Sequence, residues 1–371
     1  MTPFDFRPRT RVVFGNGEFA RLGEIARELG ATRCLLVADP GIVRAGYQQE
    51  AARTLKARRI DVFSFLDFDV NPSSAMIDAG VAYAEPLGIN LIVSVGGGSS
   101  MDFAKGINFV LSGGGQMKDY WGYGKATKPM LPMVAVPTTA GTGSEAQSFC
   151  VITDSASQLR MACGDSKVAF RAAVLDPRLS LSLSTEMTAA SGYDALSHAL
   201  ETFVTTRQTA LSECFSRSAW RLINSGLERV LRSPEDLEAR GELLLGSHFG
   251  GLAVENSMLG AAHALAPPLT SQFDIPHGVA ISLVLPHVVR WNLETQGNRY
   301  SELFGGDLVA RLRKLADMGG LPRTLQEASV PESAIPRLVE DAVTQWPGRF
   351  NPRPLDKAAA LELYQAAYSG S

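Results

Sequence analysis

Four short, largely apolar runs in the first half of this 371-residue chain constrain its fold more than any other feature: CLLVA (34–38), DVFSF (61–65), LIVSV (91–95) and MVAV (133–136). They are rich in branched and aromatic residues and too short for stable helices, so they read as buried strands. Between them, residues 19–29, 48–58, 74–87 and 101–110 space their apolar positions as helices do. Strand and helix in repetition fold as a mostly parallel sheet covered on both faces, and such a sheet presents ligands at the carboxyl ends of its strands. From about Thr185 the texture changes. Strand signals become rare, and helical patterns at 186–205, 210–225, 234–254, 256–265, 279–291, 308–317 and 336–368 follow one another, punctuated by turn signals at Gly319, Gly320, Pro331, Asn351 and Pro352. A chain of this length is naturally two domains. The expected division is an α/β domain over 1–185 and an all-helical domain over 186–371.

Composition narrows the function classes. The chain is 45% hydrophobic and 20% charged with a net charge of −3, the make-up of an ordinary globular protein. No block of basic residues would track a nucleic-acid backbone or an anionic membrane. The opening stretch MTPFDFRPRTRVVFGNG lacks an apolar core, so no secretory signal is expected, and the longest apolar runs are far too short to span a bilayer. Cys34, Cys150, Cys163 and Cys214 are scattered without a CxxC pair, which points to a reduced, cytoplasmic setting.

Residues 191–278 concentrate ligating side chains. Asp194 and His198 stand four apart in a helical pattern (Ala195, Leu196, Ala199, Leu200, Phe203), so both project from one face. His263 follows Gly260, Ala261 and Ala262, small residues that permit close backbone approach. His277 lies between Pro276 and Gly278, at a loop or a helix start. One carboxylate and three imidazoles without a thiolate suit a borderline divalent ion such as Fe, Zn, Ni or Co, whereas Ca or Mg would call for more oxygens. Each residue alone has an ordinary reading as a surface pair, a core histidine or a loop residue. Their company with nucleotide-type loops in the first half favours a metal centre.

Those loops follow strands. Gly96, Gly97, Gly98, Ser99 and Ser100 come directly after LIVSV and open a helical pattern carrying Asp102 and Lys105. Glycines there let backbone N–H groups approach a phosphate, and the helix N-terminus adds partial positive charge. The spacing matches neither GxGxxG nor GxxxxGK. A second loop, PTTAGTGSE (137–145), is dense in hydroxyls and glycines and would join the first if the strands ahead of them are neighbours. Asp39, directly after CLLVA, is placed either as a turn residue before Pro40 or to accept hydrogen bonds from a ribose, where its charge would oppose a 2′-phosphate.

Taken together, GGGSSMDFAKG (96–106), PTTAGTGSE (137–145), CVITD (150–154), LDPRLS (175–180), TAASGYDALSHALE (188–201), GAAHALAPPL (260–269), IPHG (275–278) and NPR (351–353) resemble, in order and over nearly the whole chain, the iron-dependent (group III) alcohol dehydrogenase family. The resemblance implies a Rossmann-like α/β dinucleotide domain followed by an all-α metal-binding and substrate domain, the dehydroquinate synthase-like fold. It implies Fe2+, with Zn2+ or another divalent ion as the alternative, held by Asp194, His198, His263 and His277. It implies cofactor contacts from Asp39, Gly97, Gly98, Ser99, Asp102, Thr138, Thr139, Thr142, Ser144 and Leu179. An acidic residue at the Asp39 position accompanies NAD in related dehydrogenases, so NAD(H) is expected over NADP(H). The implied reaction is reversible hydride transfer between a small alcohol and nicotinamide, with the metal polarising the oxygen, in a homodimer or larger assembly.

The chain departs from the family pattern in two places. Many members carry a further histidine where this chain has Pro267, which leaves the proton route open, and a large aromatic where it has Val254. Phe149, Val151 and Leu259 complete the residues expected to line the substrate pocket. A maleylacetate reductase-like or other carbonyl reductase of the same fold, and a non-catalytic metal or nucleotide binder, are the alternative functions. No cluster of Lys and Arg within 191–278 points to a phosphorylated substrate.

Overall fold

The computed structural model describes residues 2–370. One compact unit comprises Arg7–Thr139 and Ser144–Ser182. It contains β1 (Arg11–Phe14), α1 (Leu22–Glu28), β2 (Arg33–Ala38), α2 (Pro40–Arg44), α3 (Tyr47–Ala57), β3 (Asp61–Phe65), α4 (Ser74–Ala84), β4 (Leu91–Gly96), α5 (Gly98–Gly113), β5 (Gly122–Tyr123), β6 (Met133–Pro137), β7 (Phe149–Thr153), β8 (Arg160–Gly164) and β9 (Ala172–Leu175). Six strands form one parallel sheet in the order β1-β9-β6-β4-β2-β3. Every residue of β4 and β6 is buried, as continuous apolar runs require of a sheet covered on both faces. The chain order reverses between β2 and β4: β2 leads outward to β3, and β4 returns along its other side. The loops after β2 and β4 therefore flank the crevice in which α/β sheets hold ligands.

All four strands legible in the sequence are present, and β1, β5, β7, β8 and β9 are additions to them. β9 is only AAVL, and β7 and β8 belong to a separate three-stranded sheet in the order β5-β8-β7, where partial burial interrupts the apolar run.

The second unit holds the residues from Leu183 onward, together with Ala140–Gly143 and the stretch ending at Phe6. Its elements are α6 (Thr185–Val204), α7 (Ala210–Arg232), α8 (Leu237–Glu255), α9 (Ala262–Phe273), α10 (His277–Leu303), α11 (Leu308–Met318), α12 (Ile335–Ala342) and α13 (Lys357–Ser369). α6 is its axis. From Gly192 to Val204 every residue of α6 is buried, so it is packed all round rather than along one stripe. Gly192 makes room for α7, because a Cβ there would lie 2.6 Å from Leu227 Cδ1.

The helix expected at 210–225 continues to Arg232 as α7, and three more differ in extent. The pattern at 256–265 contains no single helix: α8 stops at Glu255 and α9 starts at Ala262, because the N–H groups of Ala261 and Ala262 are taken by the side chains of Asn351 and Glu201 instead of helix carbonyls. The segment expected at 279–291 begins two residues earlier and continues to Leu303, through Pro286. The tail at 336–368 is broken into α12 and α13 where Pro347, Pro352 and Pro354 remove backbone donors. Among the described residues no helix is long and apolar enough to cross a membrane.

α7 and α11 are joined through Glu228, whose carboxylate accepts from Arg311 and, at 2.9 Å, from Lys314. These hydrogen bonds pull the Glu228 carboxyl down to about 2. A depressed acid stabilises the fold above its unfolded value and loses that contribution as pH falls through the folded one. Glu228→Gln is therefore expected to lower stability by about 1 kcal/mol at neutral pH. In denaturant titrations at successive pH values, the gap between variant and parent should close as pH falls from about 4.5 to about 2.

Candidate functional site

The serine that precedes α6, Ser184, caps it by accepting from Met187 N at 3.1 Å, and the helix then carries Asp194 and His198 on one face. His263 is the second residue of α9 and His277 the first of α10, so each imidazole leaves its helix at the very start. The three histidines converge on one atom: Asp194 Oδ1 lies 3.5 Å from Nε2 of His198, of His263 and of His277. Asp194 Oδ1 and His263 Nε2 are buried without a hydrogen-bond partner. Two ligands each ~2.1 Å from a shared ion stand roughly 3.0–3.5 Å apart, so this spacing fits atoms grouped around a small divalent cation. Asp194, His263 and His277 offer ligand atoms all within 4.8 Å of one another, and His198 adjoins this group through Asp194 Oδ1, a donor set that fits the metal the sequence pattern implies.

Electrostatics agree with that fit. Burial would raise the Asp194 carboxyl, yet the facing imidazoles of His198, His263 and His277 hold it well below the usual carboxylate range. Burial lowers the His198 imidazole, opposed only in part by Asp194. His263 is also pulled down by burial, but Glu201 and Asp194 override this and raise it to about 9. Two buried carboxylates thus create a demand for positive charge, which a metal ion meets by displacing protons. Side-chain exposure is 5% for Asp194, 6% for His198 and 8% for His263 but 31% for His277, so the cluster is open on the His277 side.

Glu201 was not among the residues singled out from the sequence. It follows Asp194 by seven and His198 by three, on the same face of α6. Its Oε2 lies 2.5 Å from His263 Nδ1, and its Oε1 accepts from Ala262 N at 2.7 Å. Next to it, Asn351 and Asn292 exchange amide hydrogen bonds at 3.0 and 3.1 Å, and Asn351 Oδ1 also accepts from Ala261 N at 3.2 Å. The position of Glu201 at i+7 from an aspartate was the available signal. Nothing local marks the two asparagines.

In the α/β unit, β4 and β6 are neighbours, so the two glycine- and hydroxyl-rich loops do adjoin: Thr138 N donates to Gly96 O at 3.0 Å. Gly96 adopts φ +150°, and a Cβ on Gly97 would lie 3.1 Å from Thr139 Oγ1. α5 starts at Gly98 without a side-chain cap, leaving its first N–H groups facing the loop, a cradle suited to a phosphate. Ser99 Oγ accepts from Asn71 N at 3.2 Å. Asp39 caps α2 through Gly41 N and Ile42 N at 2.8 and 3.2 Å, while its Oδ2 accepts from Ser100 Oγ at 3.0 Å. It serves as the turn residue, and its carboxylate also faces the β4 loop.

Asp102 and Ser144 are bound to each other at 3.0 Å, and Asp102 also accepts from Val151 N at 3.0 Å. Lys105, fully buried, donates to Ser144 O, Ser144 Oγ and Phe149 O at 2.8, 2.9 and 2.7 Å. Burial raises the Asp102 carboxyl, and Lys105 opposes this. Lys105 thus fastens α5 to the start of β7. Leu179, after β9, is 3% exposed and sits in the hydrophobic core of the unit. Thr142 belongs with the helical unit. Of the expected pocket residues, Phe149 and Val151 lie on β7 in the α/β unit, and Val254 and Leu259 lie in the helical unit. Pro267 sits inside α9, four residues after His263, where it offers neither a titratable group nor an N–H.

With this geometry in hand, comparison with known proteins is direct. Residues 8–177 match the iron-containing alcohol dehydrogenase family and residues 188–368 match that family's C-terminal domain. The NAD-dependent methanol dehydrogenase of Bacillus methanolicus is 32% identical over 368 residues, 95% of this chain and 96% of that protein. A solved 1,3-propanediol oxidoreductase superposes with a TM-score of 0.95 at 30% identity, covering 99% of this chain and 100% of its own. The sulfoacetaldehyde reductase of Bifidobacterium kashiwanohense, solved with NAD+, superposes at 0.90 with 27% identity, covering 100% of both chains. The chain belongs to the iron-containing alcohol dehydrogenase family. It is an oxidoreductase of the CH–OH group, interconverting an alcohol and its carbonyl form.

The placement of His277 depends on Gly278, where a Cβ would overlap the Ala190 carbonyl of α6. Gly278→Ala is expected to lower stability by about 1–3 kcal/mol through overpacking. Metal retained through gel filtration should fall with it, since His277 is the adjacent residue; full retention would show that the close approach does not position the site.

Proposed function

We propose that this protein is an NAD(H)-linked alcohol dehydrogenase and aldehyde reductase for small substrates, with a divalent metal, Fe2+ by family, held by Asp194, His198, His263 and His277. The observation that carries the reading is the convergence of three imidazole nitrogens at 3.5 Å on the buried Asp194 Oδ1. When bound, the metal supplies Lewis acidity toward the alcohol or carbonyl oxygen and nicotinamide supplies the hydride site.

The chain's own residues do the remainder. Gly97, Gly98 and Ser99 offer backbone donors to the cofactor pyrophosphate, with Thr138 and Thr139 from the adjoining loop. Asp39 faces the ribose and disfavours a 2′-phosphate. Asp102, Ser144, Leu179 and Thr142 complete the cofactor side. Phe149, Val151, Val254 and Leu259 are the residues assigned to the substrate, and within the helical unit the metal cluster is open on the His277 side. The hydroxyl proton leaves through water or a cofactor hydroxyl, because Pro267 supplies no acceptor. The four free cysteines support a cytoplasmic location. β1, at the sheet edge with Val12 and Phe14 39% and 45% exposed, supports a homodimer that covers it.

Two measurements test this reading. Asp194→Ala is expected to lose bound metal by elemental analysis and aldehyde-dependent NADH oxidation together; undiminished turnover in that variant would refute the metal reading. Asp39→Ser is expected to shift the NADH-to-NADPH ratio of kcat/KM toward NADPH by about 10–100-fold, or ~1.4–2.7 kcal/mol. An unchanged ratio would remove Asp39 from cofactor choice.

A further inference from the structure

The functional reading leaves a buried acid unused. Glu201 is 4% exposed, is not part of the four-residue donor set, and spends one carboxylate oxygen on a histidine of that set and the other on the helix that carries it. We propose that Glu201 is a positioning residue for the metal, which fixes the tautomer and the orientation of His263 so that Nε2 presents its lone pair beside Asp194.

The argument begins with the imidazole. A neutral imidazole carries its proton on either nitrogen, and only the bare one can bind a metal. A carboxylate accepts and cannot donate, so at 2.5 Å from Glu201 Oε2 the proton resides on His263 Nδ1. Nε2, 3.5 Å from Asp194 Oδ1, is then the nitrogen whose proton a metal ion would displace, and it becomes the bare one. A carboxylate behind a ligating histidine also increases the basicity of the ring. Orientation comes from the second oxygen. Glu201 Oε1 holds Ala262 N at 2.7 Å, the first residue of α9, and the neighbouring Ala261 N is held by Asn351 Oδ1 at 3.2 Å. Asn351 is itself fixed by the reciprocal amide pair with Asn292 on α10. Gly260 admits both acceptors, since a Cβ there would lie 2.9 Å from Asn351 Oδ1 and 3.1 Å from Glu201 Oε1. The start of α9 is therefore clamped by two side chains, one of which also holds the ring. A carboxylate buried only to cap a helix could be replaced by Ser, Thr or Asn at the cap itself. The bond to His263 Nδ1 is what such a cap would not provide.

This inference rests on the proposed metal reading, and the test separates the two. Dissociation constants for Zn2+ and Co2+ are measured by chelator competition for the parent protein, Glu201→Gln and Glu201→Asp, with the visible spectrum of the Co2+ form and the thermal midpoint of each apo-protein. Glu201→Gln keeps an acceptor for Ala262 N but has no charge. It is expected to bind both ions about 10–100-fold more weakly and to alter the Co2+ spectrum. Glu201→Asp, which keeps the charge on a shorter arm, should recover part of that loss. Glu201→Gln binding both ions as tightly as the parent, with an unchanged spectrum and only a lower apo midpoint, would reduce Glu201 to a helix cap and overturn the proposal. A parent protein that binds neither ion would instead overturn the metal reading itself. Should the variants fail to fold, a crystal structure of the zinc-loaded parent decides: zinc on His263 Nε2 with the Glu201 bond retained supports the proposal, and a broken Glu201 bond or zinc on Nδ1 overturns it.

Discussion

A carboxylate oxygen shut away from water and faced by three imidazoles is the constraint on which the helical unit depends. Asp194 is 4% exposed and its Oδ1 makes no hydrogen bond, a condition that is expensive unless positive charge is brought to it. Meeting the condition dictates much of the packing. The starts of α9 and α10 must both reach the middle of α6, and the small residues at the contacts let them. Gly278 lies against the Ala190 carbonyl, and a Cβ on Gly250 would come within 3.3 Å of His198 Cβ. The long buried stretch of α6 follows, because a helix approached from several sides by ligand-bearing partners has no face left for water.

The α/β unit solves a different problem by related means. Its glycine loop leads into α5 without a side-chain cap, so the loop is not stiffened by side chains of its own. Stiffness comes from below, where the buried Lys105 ties Ser144 and Phe149 to α5, and Asp102 closes the network. An ammonium and a carboxylate are tolerated inside because each has several partners, so neither is left uncompensated. Residues that resemblance marks as cofactor contacts thus have a structural task as well, and the two are compatible when a group has more than one acceptor position, as Asp39 does.

Family membership sets the chemistry, and Pro267 shapes the helix that carries His263. Pro267, four residues after His263, has no backbone N–H to bond the His263 carbonyl. The start of α9 consequently relies less on its own helical hydrogen bonds and more on Glu201 and Asn351. The proline thus raises the importance of the side-chain clamp.

Sequence alone determined the parallel α/β plan and the helical second half, and it singled out Asp194, His198, His263 and His277 as candidate ligands. Those features are written in local terms: runs of branched residues, spacing along one helix, and a histidine flanked by proline and glycine. It missed β1, β5, β7, β8 and β9, which are short or partly exposed, and it placed a helix at 256–265 where the chain bends between α8 and α9, because apolar periodicity continues across a bend that only long-range hydrogen bonds impose. Glu201 was in plain view one turn beyond His198. Its function was not, since a glutamate on a helix is ordinarily a solvated surface residue. Only the tertiary structure, by bringing His263 at the start of α9 within 2.5 Å of it and Asn351 from 150 residues away, turned that glutamate into a partner of His263. Ligand identity is a property of side-chain chemistry and survives in one dimension, whereas what holds a ligand in place is a property of neighbours that the chain supplies from elsewhere.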